Sequence, residues 1–225
     1  MRAEREGGPQ RSWATPVLAT VGGKDQLVLG LSKDVKNQPE EKHGHLKGYD
    51  PKTGSELWSC RGLNSYVYTS ALVGDGVAVG MSGYGGAALA VKLGGAGDIT
   101  ADRLWVHPKN TQRVGSGAVV GGHVYVVDED GRPHCYDLKT SADHWKDEAK
   151  LKGGVTWGSM VHAGGRLYVM MRTGDTVVMA ANPKHEVLAV NPLGAGEQTN
   201  SSPAVADGEI YLRTFRHLWC ISEKK

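Results

Sequence analysis

Gly48-Tyr49-Asp50-Pro51-Lys52-Thr53-Gly54 runs on to Trp58, and the chain writes this phrase again, altered, as Cys135-Tyr136-Asp137-Leu138-Lys139-Thr140-Ser141 running on to Trp145. In both copies the Trp stands eight positions after the Asp, with Thr at the third position and Gly or Ser at the fourth. This spacing marks a tight turn between two strands, with an indole brought back to a fixed place. It speaks to the fold more than to the function.

A longer period surrounds each copy. Units open on a small or hydroxyl residue, then Pro, Ala or Met, then apolar residues. The openings are Thr15-Pro16-Val17, Ser70-Ala71-Leu72, Gly117-Ala118-Val119, Ser159-Met160-Val161 and Ser202-Pro203-Ala204, and the steps between their middle residues are 55, 47, 42 and 43. A Gly-centred turn and an alternating apolar run follow, as in Gly121-Gly122 before Val124-Tyr125-Val126-Val127 and Asp207-Gly208 before Ile210-Tyr211-Leu212. A period in the forties with several short strands per unit is what a propeller blade requires, and a blade cannot bury both faces unless neighbours stack on it. Glycine supplies 32 of 225 residues, spread over turn positions, which suits many tight hairpins. No stretch reads as a long amphipathic helix.

The sequence therefore predicts an all-β fold, a β-propeller of four-stranded antiparallel blades with about five repeats. Each unit is read as an inner strand, a second strand, a third leading into the Asp, and an outer strand carrying the Trp. The units fall near 13–60, 66–107, 113–147, 155–192 and 199–225, after an N-terminal tail or blade remnant over 1–12. The last unit stops at Leu218-Trp219-Cys220-Ile221-Ser222, before any outer strand. That favours the C-terminal part of a larger seven- or eight-bladed ring, with neighbouring blades in a longer chain, over five blades that close alone.

The Ala-x-Asp-x-x-Thr-Gly-x-x-x-Trp phrase resembles the repeat of the pyrroloquinoline-quinone-type (PQQ-like) β-propeller family, with its tryptophan docking motif. Asp50, Thr53, Gly54, Trp58, Asp137, Thr140 and Trp145 match it, while Gly48 and Cys135 replace the usual Ala. The resemblance spans roughly residues 13 to 225. It implies that each Trp packs between adjacent blades and that side-chain hydrogen bonds hold the Asp-to-Thr turn. Other units depart from the pattern. The second has Ala90-Val91-Lys92 without the Asp and inserts Gly94 to Ala101 before Trp105; the fourth has Asn182 in the Asp place and Val190 where Trp is expected.

Charge is close to balanced, with 26 basic and 24 acidic residues and a net charge of +2, so no nucleic-acid partner is implied. No apolar run approaches a membrane span, and no signal peptide is visible. A periplasmic or cell-envelope location is what the resemblance suggests. Cys135 and Cys220 occupy one small-residue position of their units and read as packed residues; Cys60 has no readable partner.

In a propeller, ligands usually meet the loops at one end of the central channel. Three positions before the middle residue of each opening stand Trp13, Tyr68, Gly115, Trp157 and Asn200; one position before stand Thr15, Ser70, Gly117, Ser159 and Ser202. The aromatics with their hydroxyls suit a ring of ligand contacts at a channel mouth, with Arg113 as a neighbouring charge. The competing reading is that the aromatics fill the space between blades and the hydroxyls bind strand ends. Neither the quinone nor calcium is expected as a cofactor. No vicinal cysteines and no oxygen-rich cluster are legible, and Asp128-Glu129-Asp130-Gly131 reads as a hairpin turn. His43-Gly44-His45 shows no third ligand, so no metal site is expected, and no catalytic residue is identified.

Strong structural motifs without a chemical constellation point to a non-enzymatic binding or scaffold module with a protein or envelope partner, similar in general plan to the propellers of bacterial envelope assembly factors. The alternatives are a fragment of a quinone-dependent dehydrogenase whose catalytic residues lie in missing blades, and a sugar-binding propeller.

Overall fold

The apolar alternation becomes strands because each run is folded back by a two-residue turn whose backbone is left-handed at both positions. Such turns match the twist of the strands they join. In the computed structural model, which describes residues 11–32, 43–109, 114–146 and 148–223, five such turns recur: Gly22-Gly23, Asp75-Gly76, Gly121-Gly122, Gly164-Gly165 and Asp207-Gly208, all with positive φ. The described residues contain no α-helix, and none of their helices is long and apolar enough to cross a membrane. The chain divides into two compact units, residues 1–113 with 138–141, and residues 114–137 with 142–225.

In the first unit, β1 (Val17–Val21), β2 (Lys24–Ser32), β3 (Gly44–Tyr49) and β4 (Glu56–Leu63) follow one another as an antiparallel blade. The second sheet holds β5 (Leu72–Gly74), β6 (Val77–Met81) and β7 (Ala88–Lys92). The Gly94–Ala101 insert does not return directly to it. Its β8 (Gly97–Asp98) lies parallel to β4 as a fifth strand of the first sheet, and Ile99 N–H donates to Ser59 O at 2.9 Å. A 3-10 turn over Thr100–Asp102 then leads into β9 (Arg103–His107), which completes the second sheet and carries Trp105. Val28, Leu46, Trp58, Cys60, Leu63 and Leu89 form the centre of this unit's core. Each such large apolar side chain contributes about 1.5–3 kcal/mol on burial.

In the second unit, β10 (Ala118–Val120), β11 (His123–Val127) and β12 (Pro133–Asp137) form a three-stranded sheet. Among the described residues the outer strand expected around Trp145 is absent: the segment makes one bridge, Tyr136 with Asp143. The Asp143 carboxylate accepts the Trp145 N–H at 3.0 Å, so a side chain takes a backbone donor that a ladder would have used. The fourth sheet has its full set, β13 (Val161–Ala163), β14 (Arg166–Met170), β15 (Thr176–Ala180) and β16 (Val187–Asn191). The fifth has three, β17 (Ala204–Ala206), β18 (Glu209–Arg213) and β19 (Leu218–Ile221). Cys135, Trp145, Leu167, Val169, Val177 and Met179 lie in this unit's core.

The cysteines divide. Cys60 and Cys135 are fully buried, and burial pushes their thiols up to about 11 and about 12, which keeps them protonated and unreactive. Cys220 is exposed, against the expectation that it packs like Cys135, because it sits on β19, an edge strand of the three-stranded fifth sheet.

Candidate functional site

The docking turns take shape from their own side chains. Asp50 Oδ1 accepts the N–H groups of Lys52 at 2.7 Å and Thr53 at 3.3 Å, and Thr53 Oγ1 accepts that of Ser55 at 3.3 Å. The Lys52 N–H foremost holds the Asp50 carboxyl below the ordinary carboxylate range. Gly54 takes φ +74°, and Ser141 adopts φ +60° in the second copy. Asn182 keeps the same habit in the fourth sheet, its Oδ1 accepting the Lys184 N–H at 2.7 Å.

The indoles go to different places. Trp145 Nε1 donates to Pro183 O at 2.9 Å, the residue after Asn182 in the neighbouring sheet. Trp105 Nε1 donates to Leu138 O at 3.0 Å, the residue after Asp137. Trp58, whose neighbouring sheet lacks the Asp, instead donates to Gln26 Oε1 of its own sheet at 2.6 Å.

The strand openings carry a second set of bonds. Thr15 N–H donates to Ser70 Oγ at 3.1 Å, Ser116 N–H to Ser159 Oγ at 3.0 Å, and Ser159 N–H to Ser202 Oγ at 2.7 Å. These hydroxyls tie neighbouring sheets together, the structural role weighed for them above. The same packing explains Gly115: a Cβ there would meet Gly158 O at 2.1 Å, so an aromatic has no room.

The aromatics three positions before the openings stand apart from this belt. Trp13, 65% exposed, has its ring centroid 5.0 Å from that of Tyr68. Two residues the sequence reading did not single out complete the cluster. Tyr66 lies 6.1 Å from Tyr68, and Tyr84, from the β6–β7 loop, packs edge-on to both at 5.0 and 5.3 Å. Arg11 caps it, its guanidinium 5.0 Å over the Tyr66 ring and donating to Tyr66 Oη at 3.1 Å. Burial and the Tyr84 hydroxyl push the Tyr68 phenol up, so it stays a neutral donor. Tyr84 is 59% exposed and holds φ +50°, a strained conformation for a bulky residue. The loop is fastened by Gly83 N–H to Tyr66 O at 2.8 Å and Asn64 Nδ2 to Gly83 O at 3.0 Å. Tyr84 sits in Ser82-Gly83-Tyr84-Gly85-Gly86, and that lone aromatic among glycines was the available signal.

In the second unit, Trp157 is 44% exposed and Arg172 of the β14–β15 loop lies 5.3 Å over its ring. Asn200 is half-buried, its Oδ1 enclosed without a hydrogen-bond partner. Phe215, in the β18–β19 loop, is exposed and fastened by its N–H to Gln198 O at 2.9 Å. Arg113 lies outside the described residues.

Asp128 of the acidic trio is buried in the β11–β12 hairpin, accepting the Arg132 N–H at 2.9 Å and facing His134 Nε2 at 3.2 Å. Around His45, burial first, then the Lys47 and Arg61 charges, lower the ring's pKa.

The family model described as outer membrane protein assembly factor BamB matches residues 2–147, well over half of the chain. No curated protein matches it. Among solved structures, BamB from Moraxella catarrhalis superposes with a TM-score of 0.64 at 16% identity, over 92% of this chain and 61% of that one. The computationally designed Ika4 protein superposes with a TM-score of 0.58 at 14% identity, over 76% of this chain and 99% of that one. The chain thus spans about 61% of the length of the solved BamB, and at these identities the superpositions speak to fold alone.

Proposed function

Because the chain belongs to the family of outer membrane protein assembly factor BamB, we propose that it is a non-enzymatic binding module for a protein partner at the cell envelope, and that the Trp13, Tyr66, Tyr68 and Tyr84 cluster is its principal binding face. The observation that carries this reading is the cluster itself. Trp13 and Tyr84 are 65% and 59% exposed, contacting one another's neighbours across two loops, and Tyr84 is held in a strained backbone to be there. Rigid aromatic surface with few rotamers to immobilise is what protein partners use as anchors, and Arg11 adds a charge-bearing rim. Trp157, with Arg172 over its ring, forms a smaller contact surface of the second unit.

The motif residues are committed to the fold: the Asp50 turn, the Trp58 and Trp145 indoles and the serine hydroxyls all serve strands. This supports a role in display rather than chemistry. The quinone-dependent alternative has the repeat family alone behind it. The exposed ring faces also favour a second reading, a sugar-binding surface.

The test is co-purification of the full-length protein from crosslinked envelope fractions, wild type against Trp13→Ala and Tyr84→Ala. A protein partner kept by wild type and lost by both variants, at little-changed unfolding midpoint, supports the proposal. The same partner kept by both variants overturns it, and glycan binding with no protein partner transfers the cluster to the sugar reading.

A further inference from the structure

We propose that His123, Asp137 and His144 form a binding site for a divalent transition metal in the third sheet, with zinc as the reference ion. One ligand atom from each of the three lies within 4.8 Å of the others. The strand register makes the site: His123 on β11 stands directly opposite Asp137 on β12, and directly paired side chains start from Cβ atoms about 5 Å apart. His144 is brought up by its backbone N–H, which donates to Cys135 O at 2.8 Å, and its ring centroid lies 5.1 Å from that of His123.

The chemistry of the set suits such an ion. His123 Nδ1 lies 2.8 Å from Gly121 O. A carbonyl only accepts, so Nδ1 carries the proton and Nε2 keeps the lone pair. A backbone carbonyl holding the far nitrogen is the usual way a metal-binding imidazole is fixed in orientation and tautomer. Asp137 supplies the carboxylate, one oxygen of which lies within 4.8 Å of a ring nitrogen of each histidine. Two imidazoles and a carboxylate with an open fourth position match zinc and its neighbours. Metal–ligand bonds of about 2.0–2.1 Å require ligand atoms about 3.4 Å apart in a tetrahedron, and His144, exposed, has the freedom to close that gap.

The site is particular to this sheet. Extending the first sheet's register by one residue sets Gln26 opposite Asp50, and that amide is occupied by the Trp58 indole; Leu57 precedes Trp58 where His144 precedes Trp145. In the third sheet the Trp145 indole leaves for Pro183, and His123 faces Asp137. An ion here clips the segment that otherwise makes a single bridge to β12.

The experiment is zinc titration of the whole chain against a competing chelator, with cobalt(II) absorption as a reading of coordination. The proposal expects one zinc per chain, a zinc-dependent rise in unfolding midpoint, and affinity reduced at least about tenfold by His123→Ala and by His144→Ala. His162→Ala, an exposed histidine of β13, leaves binding unchanged. Both ligand variants are compared with wild type in metal-free buffer to confirm an unchanged fold. No zinc binding by the wild-type chain at micromolar concentration overturns the proposal, as does binding equal in wild type, His123→Ala and His144→Ala.

Discussion

Trp58 rests on the bare Cα of Gly48: a Cβ built on Gly48 would meet the indole Nε1 at 2.2 Å and Cε2 at 2.3 Å. The two are cross-strand partners on β3 and β4. In the second sheet Trp105 pairs with Ala90, and in the third the position matching Gly48 is Cys135. Where that position bears a side chain, the indole reaches the next turn's carbonyl. Where it is glycine, the indole folds onto its own sheet and finds Gln26. Gly48→Ala is therefore expected to cost about 1–3 kcal/mol by overpacking. Gln26→Ala is expected to cost a similar amount, about 1–3 kcal/mol, by leaving the buried indole N–H unpaired. Chemical denaturation of both variants checks this, and wild-type midpoints would remove the proposed packing.

Trp58 and Trp145 are each 1% exposed at the centre of a separate core cluster. Replacing either with Ala should cost about 3–5 kcal/mol. Trp105, only half-buried, should cost less. Equal losses for all three in equilibrium unfolding would contradict the burial described above.

Asp98 anchors the added strand β8. Its carboxylate accepts from the Thr100 hydroxyl and backbone N–H and pairs with Arg61 at 2.7 Å. These bonds, Thr100's first, depress its pKa from 3.8 to about 2. A depressed folded-state pKa gives stability that is fully present above the unfolded value and fades as pH falls toward the folded one. Wild type should therefore lose stability between about pH 4 and pH 2 in part through Asp98, and Asp98→Asn should flatten that slope while lowering stability at neutral pH. An identical acid profile in the variant would remove Asp98 from the account. The group is largely exposed, so its share is modest.

Tyr84 at φ +50° separates strain from function. Glycine accepts this backbone and alanine does not, so Tyr84→Gly should be more stable than Tyr84→Ala by about 1 kcal/mol. Both should lose partner binding alike, since both lose the ring. Equal stability of the two variants would show that the loop relaxes.

The blade pattern was legible because hairpin turns and apolar alternation are local: the paired positive-φ turns fall where Gly-Gly and Asp-Gly stand in the sequence. The destination of each indole was not, since it depends on a residue across the strand and on the next sheet. The missing outer strand at Trp145 was hidden for a related reason, the Asp143 side chain taking a backbone donor. At the candidate binding face the phase of Trp13 and Tyr68 could be read from the openings, but Tyr66 and Tyr84 join them only through loop packing. His123, Asp137 and His144 meet through register, and no spacing in the chain announces them.

The most direct measurement is position-specific photocrosslinking of the full-length protein in its native cell, with the reactive side chain placed at Trp13, at Tyr84, and at Asp75 in the turn at the opposite end of β6. A binding face at the aromatic cluster predicts one common partner from Trp13 and Tyr84 and none from Asp75. The same partner from Asp75, or no protein captured from Trp13 and Tyr84, would contradict it.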